Sequence, residues 1–102
     1  MSNTLNEEII QWSKDNWPKR NHESVEKKLV EELGELLQAF ANKDALNTIE
    51  EIFDVYAMIV DWCNLNCVDL DKIFEAKREI IEFRKTWGKM PNQERAILRS
   101  YI

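Results

Sequence analysis

The stretches KLVEELGELLQAF (residues 28–40) and IEEIFDVYAMIV (residues 49–60) decide the fold. In the first, Leu29, Leu33, Leu36, Leu37 and Phe40 recur at the 3.6-residue period of an amphipathic helix. In the second, apolar residues occupy most of the helical circumference, the mark of a mostly buried helix. Working outward, the first of these helices runs from about Glu23 to Ala41, capped by Asn21 or Ser24, and breaks at Asn42-Lys43-Asp44. The next runs from about Asn47 to Asn64, where Asn47 and Glu50 have capping-box spacing. Upstream, Thr4 and Glu7 repeat that spacing before a helix from about Leu5 to Trp17. It stops at Asn16-Trp17-Pro18, because the residue before proline disfavours the α region. Downstream, a fourth helix runs from Asp69 or Leu70 to Trp87, with Gly88 as its C-terminal cap. A short amphipathic segment, Gln93 to Tyr101, follows Pro91-Asn92. The predicted architecture is all-α: an antiparallel four-helix bundle-like subunit plus a short C-terminal helix, in a single domain over residues 1–102.

Composition removes the main competitors. The chain has 102 residues and only two glycines and two prolines, too few turn formers for a sandwich or barrel. With 14 Lys plus Arg against 19 Asp plus Glu, the net charge is −5, which argues against nucleic acid as a partner. No apolar run is long enough to span a membrane, and the start MSNTLNEEII has no basic n-region, so a cytoplasmic protein is expected. One histidine and two cysteines are too few for a structural zinc site, and no Glu-x-x-His motif for a di-iron bundle occurs. Cys63 and Cys67, four apart on a predicted helix, read as buried thiols in a reducing compartment.

The chemistry lies in the acids. Each of the two deciding helices carries an acid-x-x-acid pair, Glu32/Glu35 and Glu51/Asp54, and residues three apart project to one side of a helix. On antiparallel neighbours the two pairs face each other. Such carboxylates raise one another's pKa unless a cation neutralises them, and an all-oxygen donor set points to Mg²⁺, with Mn²⁺ as a substitute. At about 100° per residue from Asp54, the apolar side chains Val55, Ile59, Ile52, Cys63, Tyr56, Ile49, Val60, Phe53 and Ala57 sweep from about 100° to 300°. Glu50, Glu51, Asp54 and Asp61 share the narrow strip that is left. Glu32 sits at the border of the Leu29/Leu36 stripe. The competing reading is an ordinary solvated acidic face, since glutamate is a good helix former.

Lys28-Leu-Val-Glu-Glu-Leu-Gly-Glu-Leu36 and Glu50-Glu-Ile-Phe-Asp-Val55 together resemble the EExxE … ExxD signature of MazG-like nucleoside triphosphate pyrophosphohydrolases. The similarity extends to Trp17-Pro-Lys-Arg-Asn-His22 and to Arg84-Lys-Thr-Trp-Gly-Lys89. It implies an all-α, Mg²⁺-dependent enzyme that cleaves a (deoxy)nucleoside triphosphate to monophosphate and pyrophosphate. Carried over by position, it implies Glu32, Glu35, Glu51 and Asp54 as metal ligands, with Glu32 and Glu35 in catalysis and Glu31 as an outer acid or base. Glu82 departs from the pattern: relatives often carry Asn five residues before the Trp of Trp-Gly-Lys, so no nucleotide contact is carried over there.

A triphosphate also needs cations for its outer phosphates. Lys77 and Arg84 lie seven apart on one helical face, Lys85 pairs similarly with Arg78, and Lys89 follows. Lys28 stands one turn before Glu32. Trp12, Trp17, Trp62 and Trp87 read first as packing residues, with Trp17 the candidate to stack on a base. His22 reads as a loop or cap residue. A helix apolar over so much of its surface cannot be covered within a chain this short, which predicts a homodimer or a dimer of dimers. Alternatives remain a specialised superfamily relative (an all-α dUTPase or a phosphoribosyl-ATP pyrophosphohydrolase) and a non-enzymatic helical interaction module.

Overall fold

A computed structural model of the chain describes residues 3–102. Among them are five helices and no strand: α1 (Asn3–Asn16), α2 (His22–Asn42), α3 (Ala45–Leu65), α4 (Leu70–Trp87) and α5 (Pro91–Ser100). The all-α class, the four long helices and the short final helix are those the periodicity predicted. They fall into two compact units, one ending at Asn66 and one beginning at Cys67.

Local chemistry sets the helix ends. At α2, Asn21 and Ser24 act together: the Asn21 side chain accepts from the Ser24 N–H and the Ser24 hydroxyl accepts from the Asn21 N–H, each at 2.9 Å. Two expected caps are corrected. Thr4 lies inside α1, which already includes Asn3, and α3 is capped by Asp44 rather than Asn47. Lys43 takes a left-handed conformation (φ 54°) that ends α2 and turns the chain. Asp44 is then extended and its carboxylate reaches the Asn47 N–H at 3.1 Å, starting α3 two residues early. Asp69 caps α4, and Gly88 closes it at φ 73°, where an L side chain is strained. Pro91 opens α5, two residues before the expected start, in the first-turn position where its missing N–H costs nothing.

In the first unit, the two-residue connection Lys43-Asp44 makes α2 and α3 an antiparallel hairpin, and α1 packs on α3. Ile9, Ala57 and Val60 form a small core, with Ile10 and Tyr56 against it. The Tyr56 hydroxyl donates to the Asn6 side-chain carbonyl, and the Trp62 indole N–H donates to Glu26 at 2.8 Å, tying α3 to α1 and α2.

The hairpin buries a different face from the one apolarity alone suggests. On α2 the inward residues are Val25, Glu32 and Ala39, while Leu33, Leu37 and Phe40 are exposed. On α3 Glu51, Val55, Met58 and Asp61 are inward, while Ile49, Ile52, Phe53 and Ile59 are exposed. The tryptophans also depart from the packing role. Trp12 and Trp17 are each 43% exposed and meet edge to face at 5.0 Å, and Trp87 is exposed as well. Cys63 is buried as expected, whereas Cys67 is exposed beyond the end of α3, in a left-handed conformation that the helical reading did not allow for.

Candidate metal centre

The α2–α3 seam brings Glu32, Glu35 and Glu51 together, each with a carboxylate oxygen within 4.8 Å of the others. Glu32 and Glu51 are buried, and Glu35 opens to solvent. Asp54, one turn along α3, is half-buried and stands outside this trio. Glu31 is exposed beside Lys28, whose ammonium lies 3.7 Å from Glu31 and 3.2 Å from Glu32.

Charge crowding dominates the seam. Glu51 hydrogen-bonds its proton to Glu32; with burial and the negative charges of Glu32, Glu35 and Asp54, this pushes the Glu51 carboxyl up to about 7. Burial works to raise Glu32 too, but hydrogen bonds from Glu51 and Lys28 outweigh it and hold Glu32 below the usual carboxylate range. Burial, then the charge of Glu32, raises Asp54. The Glu32 hydrogen bond correspondingly raises Lys28.

One oxygen of Glu32 and one of Glu51 are buried without any hydrogen-bond partner. A buried unpaired carboxylate oxygen costs several kcal/mol in effective terms, so such a pair is unstable unless something positive meets it. Hard, oxygen-only donors that converge without histidine or thiolate suit a divalent cation of the Mg²⁺ type. Lys28 supplies one positive charge to three carboxylates, and leaves both orphaned oxygens unmet.

A second buried carboxylate lies further along α3. Asp61 accepts from the Ser13 hydroxyl at 2.5 Å and from the Arg20 guanidinium at 2.8 Å, and Arg20 also reaches the Ser13 oxygen at 3.1 Å. The sequence reading placed Asp61 in the acid strip but missed its partners. They lie 48 and 41 positions away, beyond any local spacing rule.

The predicted substrate contacts divide between the units. Trp17 and Lys28 border an open pocket of about 580 Å³ in the first. In the second, Lys77 lines a groove of about 620 Å³ with Phe74, Arg78 and Tyr101, and Lys89 is exposed after α4. Arg84 is already engaged there, 2.6 Å from Glu94, whose other oxygen accepts the Met90 N–H at 2.9 Å. Lys85 pairs with Glu82 at 2.8 Å. His22 is the first residue of α2, next to the cap, as expected.

A family model for phosphoribosyl-ATP pyrophosphohydrolase matches residues 1–79, which include all of the acidic seam. The chain belongs to this family. Phosphoribosyl-ATP pyrophosphohydrolases and MazG-like enzymes share the all-α NTP pyrophosphatase superfamily, so the resemblance read from the motifs holds at superfamily level. The family's reaction is hydrolysis of a phosphoanhydride bond, and members of this superfamily typically require a divalent metal. Neither the curated proteins nor the solved structures compared with the chain gave a match. Arg84, Lys85 and Lys89 lie beyond the residues that match the phosphoribosyl-ATP pyrophosphohydrolase family. Among the described residues, no helix is long and apolar enough to cross a membrane.

Proposed function

We propose that the chain hydrolyses nucleoside triphosphates, ribo- or deoxyribo-, between the α and β phosphates, releasing the monophosphate and pyrophosphate. The observation that carries this reading is the pair of orphaned buried oxygens on Glu32 and Glu51. Together with Glu35, and with Asp54 from the next turn, they are the residues that would hold Mg²⁺. Bound there, the ion would offset the repulsion between carboxylates and phosphates and stabilise charge developing on the bridging oxygen. The chain's own residues do the rest. Glu31, outside the buried trio and 3.7 Å from the Lys28 ammonium, takes a proton from the attacking water. Lys28 keeps a charged donor at the rim of the seam, facing solvent from which a phosphate arrives. Trp17 offers an aromatic surface at the neighbouring pocket.

The family match favours a second reading, in which the substrate is phosphoribosyl-ATP itself. Its cleavage gives the same two kinds of product, a nucleoside monophosphate and pyrophosphate, and needs the same carboxylates. Incubating the protein with Mg²⁺ and a panel of NTPs, dNTPs and phosphoribosyl-ATP, with chromatography of the products, separates the two. Turnover of several triphosphates supports the first reading, and turnover confined to phosphoribosyl-ATP supports the second. No pyrophosphate from any of them leaves a non-enzymatic helical module.

The same reading includes a homodimer or a pair of dimers. Val30, Leu33, Leu37 and Phe40 form one exposed stripe on α2, and Leu46, Ile49, Ile52 and Phe53 another on α3, while the buried core of the first unit is small. Apolar stripes of this length on a soluble helical hairpin mark an interaction surface. Sedimentation at micromolar concentration is expected to give at least twice the 12.2 kDa chain mass; a monomer would remove this part of the reading.

A further inference from the structure

The loop between α1 and α2 is held by an anchor that the metal seam does not use. Asp61, 5% exposed on α3, accepts from Ser13 of α1 and from Arg20 of the loop. Ser13 is itself 5% exposed, and only 13% of the Arg20 side chain is accessible. The guanidinium therefore has its charge met on one side by a buried carboxylate. Its carbon lies 4.3 Å from the centre of the Trp17 ring, in cation–π contact. Trp17 in turn meets Trp12 at 5.0 Å, and the Arg20 N–H closes back on the Trp17 carbonyl at 3.2 Å. A five-residue loop is thus pinned at one point, and that point fixes the orientation of an indole.

What the pinned loop builds is the pocket of about 580 Å³ whose walls are residues 16–20, Ser24 and Lys28. One of these lining residues, Lys28, has its ammonium 3.2 Å from Glu32 of the acidic seam. The pocket is therefore lined both by an indole and by a side chain that touches the carboxylates. A ligand matching both has an aromatic ring for Trp17 and an anionic tail that meets Lys28 and, through a cation, the acidic seam, the shape of a nucleotide with its base at Trp17.

We propose that Asp61, acting through Arg20 and Ser13, is a positioning residue that holds the Trp17 loop as the wall of a pocket for the base and sugar of a nucleotide. The inference rests on the nucleotide reading above and adds which residues set the grip on the nucleoside end. Planarity is essential to it: lysine at position 20 keeps the charge but loses the flat face and the second donor direction.

The test is binding by the full chain in Mg²⁺, with nucleoside monophosphates, which carry no phosphoanhydride bond to hydrolyse. Tryptophan fluorescence is titrated with AMP, GMP, CMP and UMP, and in parallel with inorganic tripolyphosphate, which has no base. Wild type is expected to respond to at least one monophosphate. Asp61→Asn and Arg20→Lys should each weaken that binding about tenfold and leave tripolyphosphate within twofold. Trp17→Leu, at a partly exposed position, gives the arm that survives if Asp61→Asn does not fold; its binding is followed by calorimetry and should weaken for monophosphates only. If turnover is found, the same variants should raise KM about tenfold with kcat within about threefold, a split that general destabilisation does not produce. Equal losses for monophosphate and tripolyphosphate, unchanged monophosphate binding in Arg20→Lys and Trp17→Leu, or no response of wild type to any monophosphate would overturn the proposal. Absence of turnover together with selective monophosphate binding would instead remove the hydrolase reading and leave the pocket standing.

Discussion

Glu51 and Asp61 are buried carboxylates on the same face of the same helix, yet they are opposites. Asp61 has Ser13 and Arg20 both donating to one oxygen, Oδ2, and neither of its oxygens is left buried and unpartnered. Glu51 keeps one oxygen without a partner and its carboxyl pushed up to about 7 beside Glu32 and Glu35. A carboxylate whose charge is met by an ion pair in the folded chain is a bracing element, and its removal leaves the Arg20 charge without a carboxylate. One that stays unmet has been kept at a cost to the fold, and its removal relieves repulsion. Burial alone does not separate the two; the state of the oxygens does.

The sharpest way to break the comparison is to neutralise each acid in turn. Glu51→Gln is expected to lower kcat/KM by at least about a hundredfold, since it removes a charge the cation site depends on. The melting temperature without metal should stay level or rise. Asp61→Ala should do the reverse to stability, costing roughly 3–5 kcal/mol as a broken buried ion pair. In a chain of this length that lowers the melting temperature by some 12 °C or more, about 4–8 °C per kcal/mol. If Glu51→Gln melts lower and hydrolyses normally, the seam is architectural and the contrast is gone.

Metal removal gives the next effect. Adding Mg²⁺ at about a hundred times its Kd should stabilise wild type by about 2.7 kcal/mol relative to chelator. That gain should vanish in Glu51→Gln and persist in Arg20→Lys. Differential scanning fluorimetry with and without EDTA reads both, and a full Mg²⁺ shift in Glu51→Gln would contradict the assignment.

A smaller effect is in the pH dependence of the metal-free protein. The native state holds the Glu51 proton up to about pH 7, while an ordinary glutamate releases it near 4.5. This contribution to stability is therefore intact below about pH 4.5 and is lost as pH rises through 7. Asp54, also raised, acts with the same sign, and the lowered Glu32 acts in a window below 4.5. Denaturant midpoints measured from pH 4.5 to 8 should fall across that window in wild type and flatten in Glu51→Gln. Stabilisation by Mg²⁺ should grow over the same range, since binding must displace the proton.

The smallest change is expected at Glu75, exposed on α4 and paired with Arg78 at 3.1 Å. Glu75→Gln should leave activity, Mg²⁺ response and melting temperature unaltered, because an exposed pair contributes at most about 1 kcal/mol. An effect there comparable to that at Glu51 would mean the acids act through overall charge.

Much of this was legible in the sequence because it is written in local spacing. Helix periodicity, Pro18, the Asn21/Ser24 box, Gly88 and the two acid-x-x-acid pairs all lie within a turn or two of the residues that explain them. Asn47 reads as the α3 cap from its spacing to Glu50, and only the left-handed Lys43 before Asp44 shows that Asp44 takes that place. Which side of α3 turns inward was hidden for a different reason. Hydrophobic periodicity assumes that apolar means buried, and this hairpin puts Glu51 and Asp61 inside and Ile49 and Ile52 outside. The pinning of Arg20 by Asp61 depends on a contact across α1, the loop and α3, so no window of sequence contains it.

The tight turn at Lys43-Asp44 makes the hairpin a ruler. Glu35 and Glu51 stand eight positions before and after Lys43, so the acids meet because the two arms are counted out equally from the bend. Extra residues at the bend itself cost only loop closure, which grows slowly with length. A single residue inserted between the bend and either acid swings that carboxylate by about 100° around its helix and out of the seam. Insertions in this gene should therefore be tolerated between positions 43 and 44, and insertions and deletions purged from residues 36–42 and 45–50, even where every side chain there is free to change.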